Sequence, residues 1–280
     1  MTDIRVWVDG RLVGPDTPAV SAVDHGVTVG DAAFETAKVV DGVPFALTRH
    51  LRRLDRTIAG LGLPPADHDR IRQGIAAVLD GDPIGFGRLR FTVTGGCGPL
   101  GSDRHDSELT HIVTAVPHDR PGRHGAVVTV PWVRNERAPT AGLKTTSYAD
   151  NVIALARAKE HGALEAIFGN TRGELCEATG SNVFVVVDGA VRTPPLDSGC
   201  LAGITRELLL EWCAADGVEV VEEALPLDVL ARADEVFLTS SIKDVFPVST
   251  VDGRPLAAPG PLTARMQQVW SAAAALGVDP

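Results

Sequence analysis

Apolar and polar positions along the chain change period several times, and each change marks an element. The opening run IRVWVDGRLV alternates around Asp9-Gly10, which reads as two strands joined by a two-residue hairpin turn. Phe34 to Val40 alternates again, Asp41-Gly42 reverses the chain, and Val43 to Leu47 returns. Leu51, Leu54, Ile58 and Leu61 then fall on one helical face. A second helix is expected over Ile71 to Leu79, with strands at Arg88 to Thr94 and at His111 to Val116. This part reads as an antiparallel sheet layered with two helices. Pro117 to Gly125 is polar and rich in Pro and Gly, as linkers are. The expected division is an N-terminal α+β domain over 1–116, a linker over 117–125 and a second domain over 126–280.

After the linker, VVTVPW reads as a strand. The stretch from Gly142 to Phe184 supplies in turn a lone lysine, a helix, a strand, a hairpin, and a glutamate set among small residues before an apolar strand. Val183 to Val187 and Ala190 to Thr193 form another hairpin around Asp188-Gly189. SGCLAGITRELLLEWCAADG reads as a helix that begins near Gly203 to Thr205 and ends by Gly217. A strand over Glu235 to Leu238 runs into the hydroxyl cluster Thr239-Ser240-Ser241, and Pro261 opens a last helix to Ala275.

Composition narrows the classes. With 280 residues, 44% hydrophobic and 22% charged, the chain buries a large core in one or two domains. Its net charge of −10 argues against a nucleic-acid partner. It has no apolar run of about 18 residues and no signal-like apolar start, so a cytoplasmic protein without a membrane partner is expected. Cys97, Cys176, Cys200 and Cys213 make no C-x-x-C pair and no metal spacing with histidine, so reduced, mostly structural cysteines and no metal site are expected.

The candidate chemistry starts at Lys144. A loop lysine is usually just solvated, but this one has only Gly142, Leu143, Thr145 and Thr146 around it and no acid in the adjacent sequence. Desolvation there would lower the amine's pKa and make it a Schiff-base nucleophile. Glu177 has only Glu174 as a charged neighbour and needs a cationic or proton-sharing partner. The helix opening at Ile204-Thr205 offers free amides and a hydroxyl suited to phosphate.

Glu177-Ala178-Thr179-Gly180-Ser181-Asn182-Val183-Phe184, placed after Lys144 by a helix, a strand and a hairpin, resembles the E-x-x-x-S/A-N-V/L-F motif of the class IV aminotransferases, the fold-type IV pyridoxal-5'-phosphate (PLP) enzymes. His50-Leu51-Arg52-Arg53-Leu54 and Gly203-Ile204-Thr205-Arg206 resemble two further motifs of that family, in the same order along the chain. The resemblance implies a two-domain α/β (α+β) fold with PLP in the cleft between domains, and a homodimer. It implies that Lys144 binds PLP and then moves the proton, and that Glu177 pairs with the pyridine nitrogen. The phosphate would be taken by Arg53, by the amides of Ile204 and Thr205, and by Ser241, where relatives more often carry threonine.

The resemblance leaves the reaction more open than the cofactor. Gly30 to Lys38 (GDAAFETAK) is more similar to D-amino-acid aminotransferases and aminodeoxychorismate lyases than to branched-chain enzymes. It implies an aminotransferase acting on D-amino acids or (R)-amines and an oxo-acid acceptor. The alternatives are a 4-amino-4-deoxychorismate lyase releasing pyruvate and 4-aminobenzoate, and then a branched-chain L-amino-acid aminotransferase. Phe34, Lys38 and Arg104 are the substrate-binding candidates. In D-amino-acid relatives an R-x-H pair reaches in from the partner subunit, whereas here Arg104 directly precedes His105. Lys38 reads equally as a pocket cation or as a solvated strand lysine. Tyr148 lies one residue nearer the lysine than its counterpart in branched-chain relatives, and Arg137 aligns with an arginine of D-amino-acid relatives; the roles of both stay open.

Overall fold

The structure, a computed structural model, describes residues 3–280; the first two residues of the expected 1–116 domain lie outside the described residues. The chain divides into two compact units. One runs through Arg120 and takes in Leu143–Ser147 and Val278–Pro280. The other comprises Pro121–Gly142 and Tyr148–Gly277. The Lys144 segment, placed by chain position in the second domain, therefore belongs to the first unit.

The first unit holds β1 (Arg5–Val8), β2 (Arg11–Val13), α1 (His25–Thr28), β3 (Ala32–Val40), β4 (Val43–Pro44), α2 (Leu47–Leu61), α3 (His68–Leu79), β5 (Phe86–Thr94) and β6 (Thr110–Pro117). The strands form one antiparallel sheet in the order β2-β1-β6-β5-β3-β4. Alternation puts Trp7, Ala33, Ala37, Val39, Leu89, Phe91, Val93 and Val113 on one face, where they pack with Leu51, Leu54 and Ile58 of α2 and Ile71, Ile75 and Val78 of α3. The helix α3 starts at His68, ahead of the apolar pattern, because Asp67 caps it by accepting from the Arg70 amide at 2.9 Å. The return strand expected over Val43 to Leu47 ends at Pro44: Ala46 turns with φ 56° and Leu47 already opens α2.

The second unit holds β7 (Gly125–Arg134), α4 (Ala149–Glu160), β8 (Glu165–Asn170), β9 (Leu175–Ala178), β10 (Asn182–Val187), β11 (Ala190–Thr193), α5 (Ile204–Ala215), β12 (Val220–Glu222), α6 (Val229–Arg232), β13 (Glu235–Ser240), β14 (Asp244–Val251), β15 (Arg254–Pro255) and α7 (Pro261–Ala274). Its sheet runs β12-β11-β10-β13-β14-β7-β8-β9, with β15 on β14. The β7–β8, β7–β14 and β11–β12 pairs are parallel. β8 and β10 are buried at every position, so they read as continuous runs and not as alternations. β13 extends two residues past the expected Leu238 and takes in Thr239 and Ser240. No helix among the described residues is long and apolar enough to cross a membrane.

Candidate active site

In the first unit, Lys144 sits on an added edge of the sheet. Its carbonyl accepts from the Phe34 amide at 3.0 Å, Thr145 bridges Ala33, and the Thr146 amide donates to the Ala32 carbonyl at 2.9 Å. The Lys144 amide donates to the Thr57 hydroxyl at 3.2 Å. These bonds deliver the side chain over Phe34, with Nζ 4.3 Å from the ring centroid, a cation–π distance. Phe34 also lies under the Arg90 guanidinium, at 3.8 Å. Gly30, at φ 69°, opens this pairing: a Cβ there would stand 2.8 Å from the Ser147 hydroxyl oxygen.

Beside Lys144 lies a buried charged group that the sequence reading did not single out. Glu35 follows Phe34 on β3 and so points to the helix face, among Ala33, Ala37 and Val39. Arg53 grips it in a fork, Nε to Oε1 at 2.8 Å and Nη2 to Oε2 at 2.7 Å, and His50 Nδ1 meets Oε2 at 2.6 Å. Burial alone would raise the Glu35 carboxyl, but the Arg53 charge and hydrogen bonds, with those of His50, hold it at about 2. Burial lowers the His50 pKa, with Arg53 and Lys144 adding to that against the opposing pull of Glu35. His50 is therefore neutral, with the proton on Nδ1 donated to Glu35. An acid on an otherwise apolar strand face was the available signal. His50 and Arg53, three apart on α2, answer it, and Thr57, four further on, accepts from the Lys144 amide.

Lys38 is buried, with Nζ 4.5 Å above the Phe45 ring, which sets aside a solvated strand lysine. Arg104 is engaged within its own unit: Nε donates to Asp31 Oδ2 at 2.6 Å, Nη2 to Asp31 Oδ1, and Nη1 to the Leu61 carbonyl at 2.7 Å. To receive a substrate carboxylate, Arg104 must exchange Asp31 for it.

In the second unit, Glu177 lies on β9 with Oε2 accepting from the Leu201 amide at 2.9 Å and Oε1 3.3 Å from Arg134 Nε. Arg134 supplies the cationic neighbour that the sequence around Glu177 lacks. Its guanidinium rests 4.2 Å over Phe168, the residue that pairs with Glu177 across β8–β9, and Nη1 donates to Asn151 at 3.0 Å. Asn151 in turn donates to the Thr179 carbonyl at 2.6 Å, and Asn182 donates to the Leu201 carbonyl at 2.8 Å. Glu177 and Asn182 thus hold the two faces of one peptide segment, just ahead of α5. That helix has Gly203 as its N-cap and no capping side chain; its first internal bond runs from the Glu207 amide to the Gly203 carbonyl, which leaves the Ile204 and Thr205 amides outside the helix ladder. A Cβ at 203 would fall 1.9 Å from Asn182 Oδ1, so a larger residue would have to displace that side chain or the helix start. Arg206 ties the helix down, donating to the Pro194 carbonyl at 2.9 Å and pairing with Glu222.

Ser241 lies in the turn after β13, half-buried. Arg137 is 84% exposed at its side chain, and Tyr148 precedes α4 as its N-cap. The cysteines are all free; burial pushes the Cys200 and Cys213 thiols up to about 11 and the Cys176 thiol further, so these three are unreactive.

The sequence pattern of amino-transferase class IV matches residues 32–251, and the chain belongs to that family. It is 31% identical to a D-alanine aminotransferase of Bacillus licheniformis over 273 residues, covering 94% of this chain and 95% of that one. Among solved structures, a Legionella pneumophila protein provisionally described as a 4-amino-4-deoxychorismate lyase superposes with a TM-score of 0.85 at 25% identity, over 92% of this chain and 96% of that one. A protein described as a hypothetical aminotransferase of Mycobacterium tuberculosis, in its PLP-bound form, superposes with a TM-score of 0.83 at 28% identity, over 96% of this chain and 98% of that one.

Proposed function

We propose that the chain is an aminotransferase that moves an amino group between a D-amino acid, or an (R)-amine, and an oxo acid. Support for this reading comes from 31% identity to a D-alanine aminotransferase over 94% of the chain. A Methanocaldococcus jannaschii protein provisionally described as a branched-chain-amino-acid aminotransferase is 32% identical over 90% of the chain, so the choice of substrate rests on the Gly30 to Lys38 stretch and on the test below. The Gly30 to Lys38 segment supports this reading, since GDAAFETAK is more similar to the corresponding stretch of D-amino-acid aminotransferases and aminodeoxychorismate lyases than to that of branched-chain enzymes.

The residues fit PLP. The Ile204 and Thr205 amides, the Thr205 hydroxyl and Ser241 suit a phosphate, and Arg53 is the guanidinium candidate, with Nε and Nη2 already held by Glu35. Glu177, with one oxygen on Leu201 and the other toward Arg134, is the carboxylate for the pyridine nitrogen. When bound, PLP supplies the electron sink that makes the substrate's Cα proton removable. Lys144 is the group that takes and returns that proton at Nζ, and the Phe34 ring beneath it keeps water from one side of the amine. Lys38 and Arg104 are the candidate anchors for the substrate carboxylate, Lys38 from a buried position and Arg104 only on release from Asp31. The reading includes a homodimer, which sedimentation of the loaded protein checks.

The test is a half-reaction. PLP-loaded protein is incubated separately with D-amino acids, L-amino acids and aminodeoxychorismate, and the cofactor absorbance and products are followed. Bleaching by D-amino acids with oxo acid formed is the expected result. Bleaching by L-amino acids alone would favour a branched-chain type of enzyme. Pyruvate and 4-aminobenzoate from aminodeoxychorismate, with no amino-acid half-reaction, would establish the lyase, which the similarity to the Legionella protein favours as the second reading.

A further inference from the structure

Glu165, the first residue of β8, is 3% exposed and has no part in the chemistry described so far. Burying a carboxylate is costly unless its oxygens are paired and hydrogen-bonded. This one collects four donors. Oε1 accepts from the Ser181 hydroxyl at 2.6 Å and pairs with the Lys243 ammonium. Oε2 accepts from the Gly180 amide at 2.7 Å and the Thr179 hydroxyl at 3.2 Å.

The donors come from two segments far apart in the chain. Thr179, Gly180 and Ser181 form the loop between β9 and β10, whose two ends carry Glu177 and Asn182. Lys243 closes the turn between β13 and β14, which carries Ser241, and its amide donates to the Ser240 hydroxyl at 3.3 Å. One carboxylate therefore pins the Glu177 loop and the Ser241 turn together. A buried ion pair is a weak source of stability, whereas a fully satisfied polar network fixes geometry.

We propose that Glu165 and Lys243 are a pair of positioning residues for the cofactor site, holding the pyridine-nitrogen carboxylate and the Ser241 hydroxyl at a set separation for a phosphorylated heteroaromatic ring. The inference rests on the reading of the preceding section. Neither residue touches the reacting atoms; the pair acts through Thr179, Gly180 and Ser181 on one side and through the Ser241 turn on the other.

The test compares Glu165→Gln and Lys243→Met with Val187→Ala, a buried core truncation at the far end of β10. Each protein is stripped, reloaded with PLP and measured well below its thermal midpoint. The readouts are the PLP dissociation constant and the pH titration of the Lys144-linked chromophore. Glu165→Gln and Lys243→Met are expected to raise the dissociation constant about tenfold, the lower end for removal of a supporting hydrogen-bond partner at a bound group, and to shift the titration. Val187→Ala is expected to lower the thermal midpoint and leave both readouts unchanged, and Lys243→Arg to restore most of the affinity lost in Lys243→Met. Should Glu165→Gln not fold, the two Lys243 variants carry the comparison. The proposal is overturned if the variants lose thermal stability as Val187→Ala does yet bind PLP within about twofold of the parent with an unshifted titration. A parent protein that takes up no PLP overturns the functional reading itself, a result separable from the comparison of variants.

Discussion

Glu35 shows how far a single side chain can be governed by its neighbours. Its carboxyl lies at about 2 in the folded protein, against an unfolded value of ~4.3. A depressed carboxyl contributes stability that is fully present above the unfolded value and is lost as pH falls through the folded one. His50, lowered by burial, adds a second loss that begins below its unfolded value of ~6.5, since the unfolded chain takes up the proton first. Both signs make acid destabilising. Glu35→Gln is expected to cost about 3–5 kcal/mol at neutral pH, because Arg53 keeps its charge without a counter-charge. It is also expected to flatten the pH dependence of unfolding between about pH 5 and pH 2. Denaturant melts of the two proteins across that range check this, and parallel curves would contradict it.

At the scale of the element, two glycines make separate demands. The α5 N-terminus approaches Asn182 so closely that Gly203→Ala must displace either the asparagine or the first turn. We expect it to weaken PLP binding about tenfold while pyridoxal, which lacks the phosphate, binds as before. Equal losses for both ligands would place the damage elsewhere. Gly30 starts the pairing of β3 with the Lys144 segment at a positive φ and against Ser147. Gly30→Ala is expected to cost about 1–3 kcal/mol in thermal or denaturant unfolding and to slow PLP uptake by the apo-protein; unchanged stability and uptake would count against the pairing.

Much of this element order was legible from period alone. The leucine and isoleucine face of α2, the β3 alternation and the apolar run of β10 announce themselves. Pairings between distant segments do not. The Phe34–Lys144 bond belongs to no periodic pattern, so chain position alone puts the Lys144 segment in the second domain, whereas the pairing puts it in the first unit. The partners of Arg53 and Arg104 were equally invisible. A guanidinium reads as available in a sequence, and only the fold shows Glu35 and Asp31 in its grip. Glu177 stood out by its motif, whereas Arg134, Asn151, Glu165 and Lys243 belong to no motif and emerge only from the hydrogen bonds around it.

At the scale of the whole molecule, the family fixes the type of cofactor, and the account turns on where that cofactor is attached. Bound PLP should raise the thermal midpoint, with about 2.7 kcal/mol of stabilisation at a hundredfold excess over Kd. Lys144→Ala should keep part of that gain through the phosphate contacts; no shift in either protein would contradict the phosphate assignment. The most direct measurement is borohydride reduction of the PLP-loaded protein followed by peptide mass mapping. The chain's lysines are Lys38, Lys144, Lys159 and Lys243, so the outcomes are few. The account predicts a single pyridoxyl adduct on the peptide containing Lys144, absent in Lys144→Ala. An adduct on another lysine, or one that persists in Lys144→Ala, would contradict it.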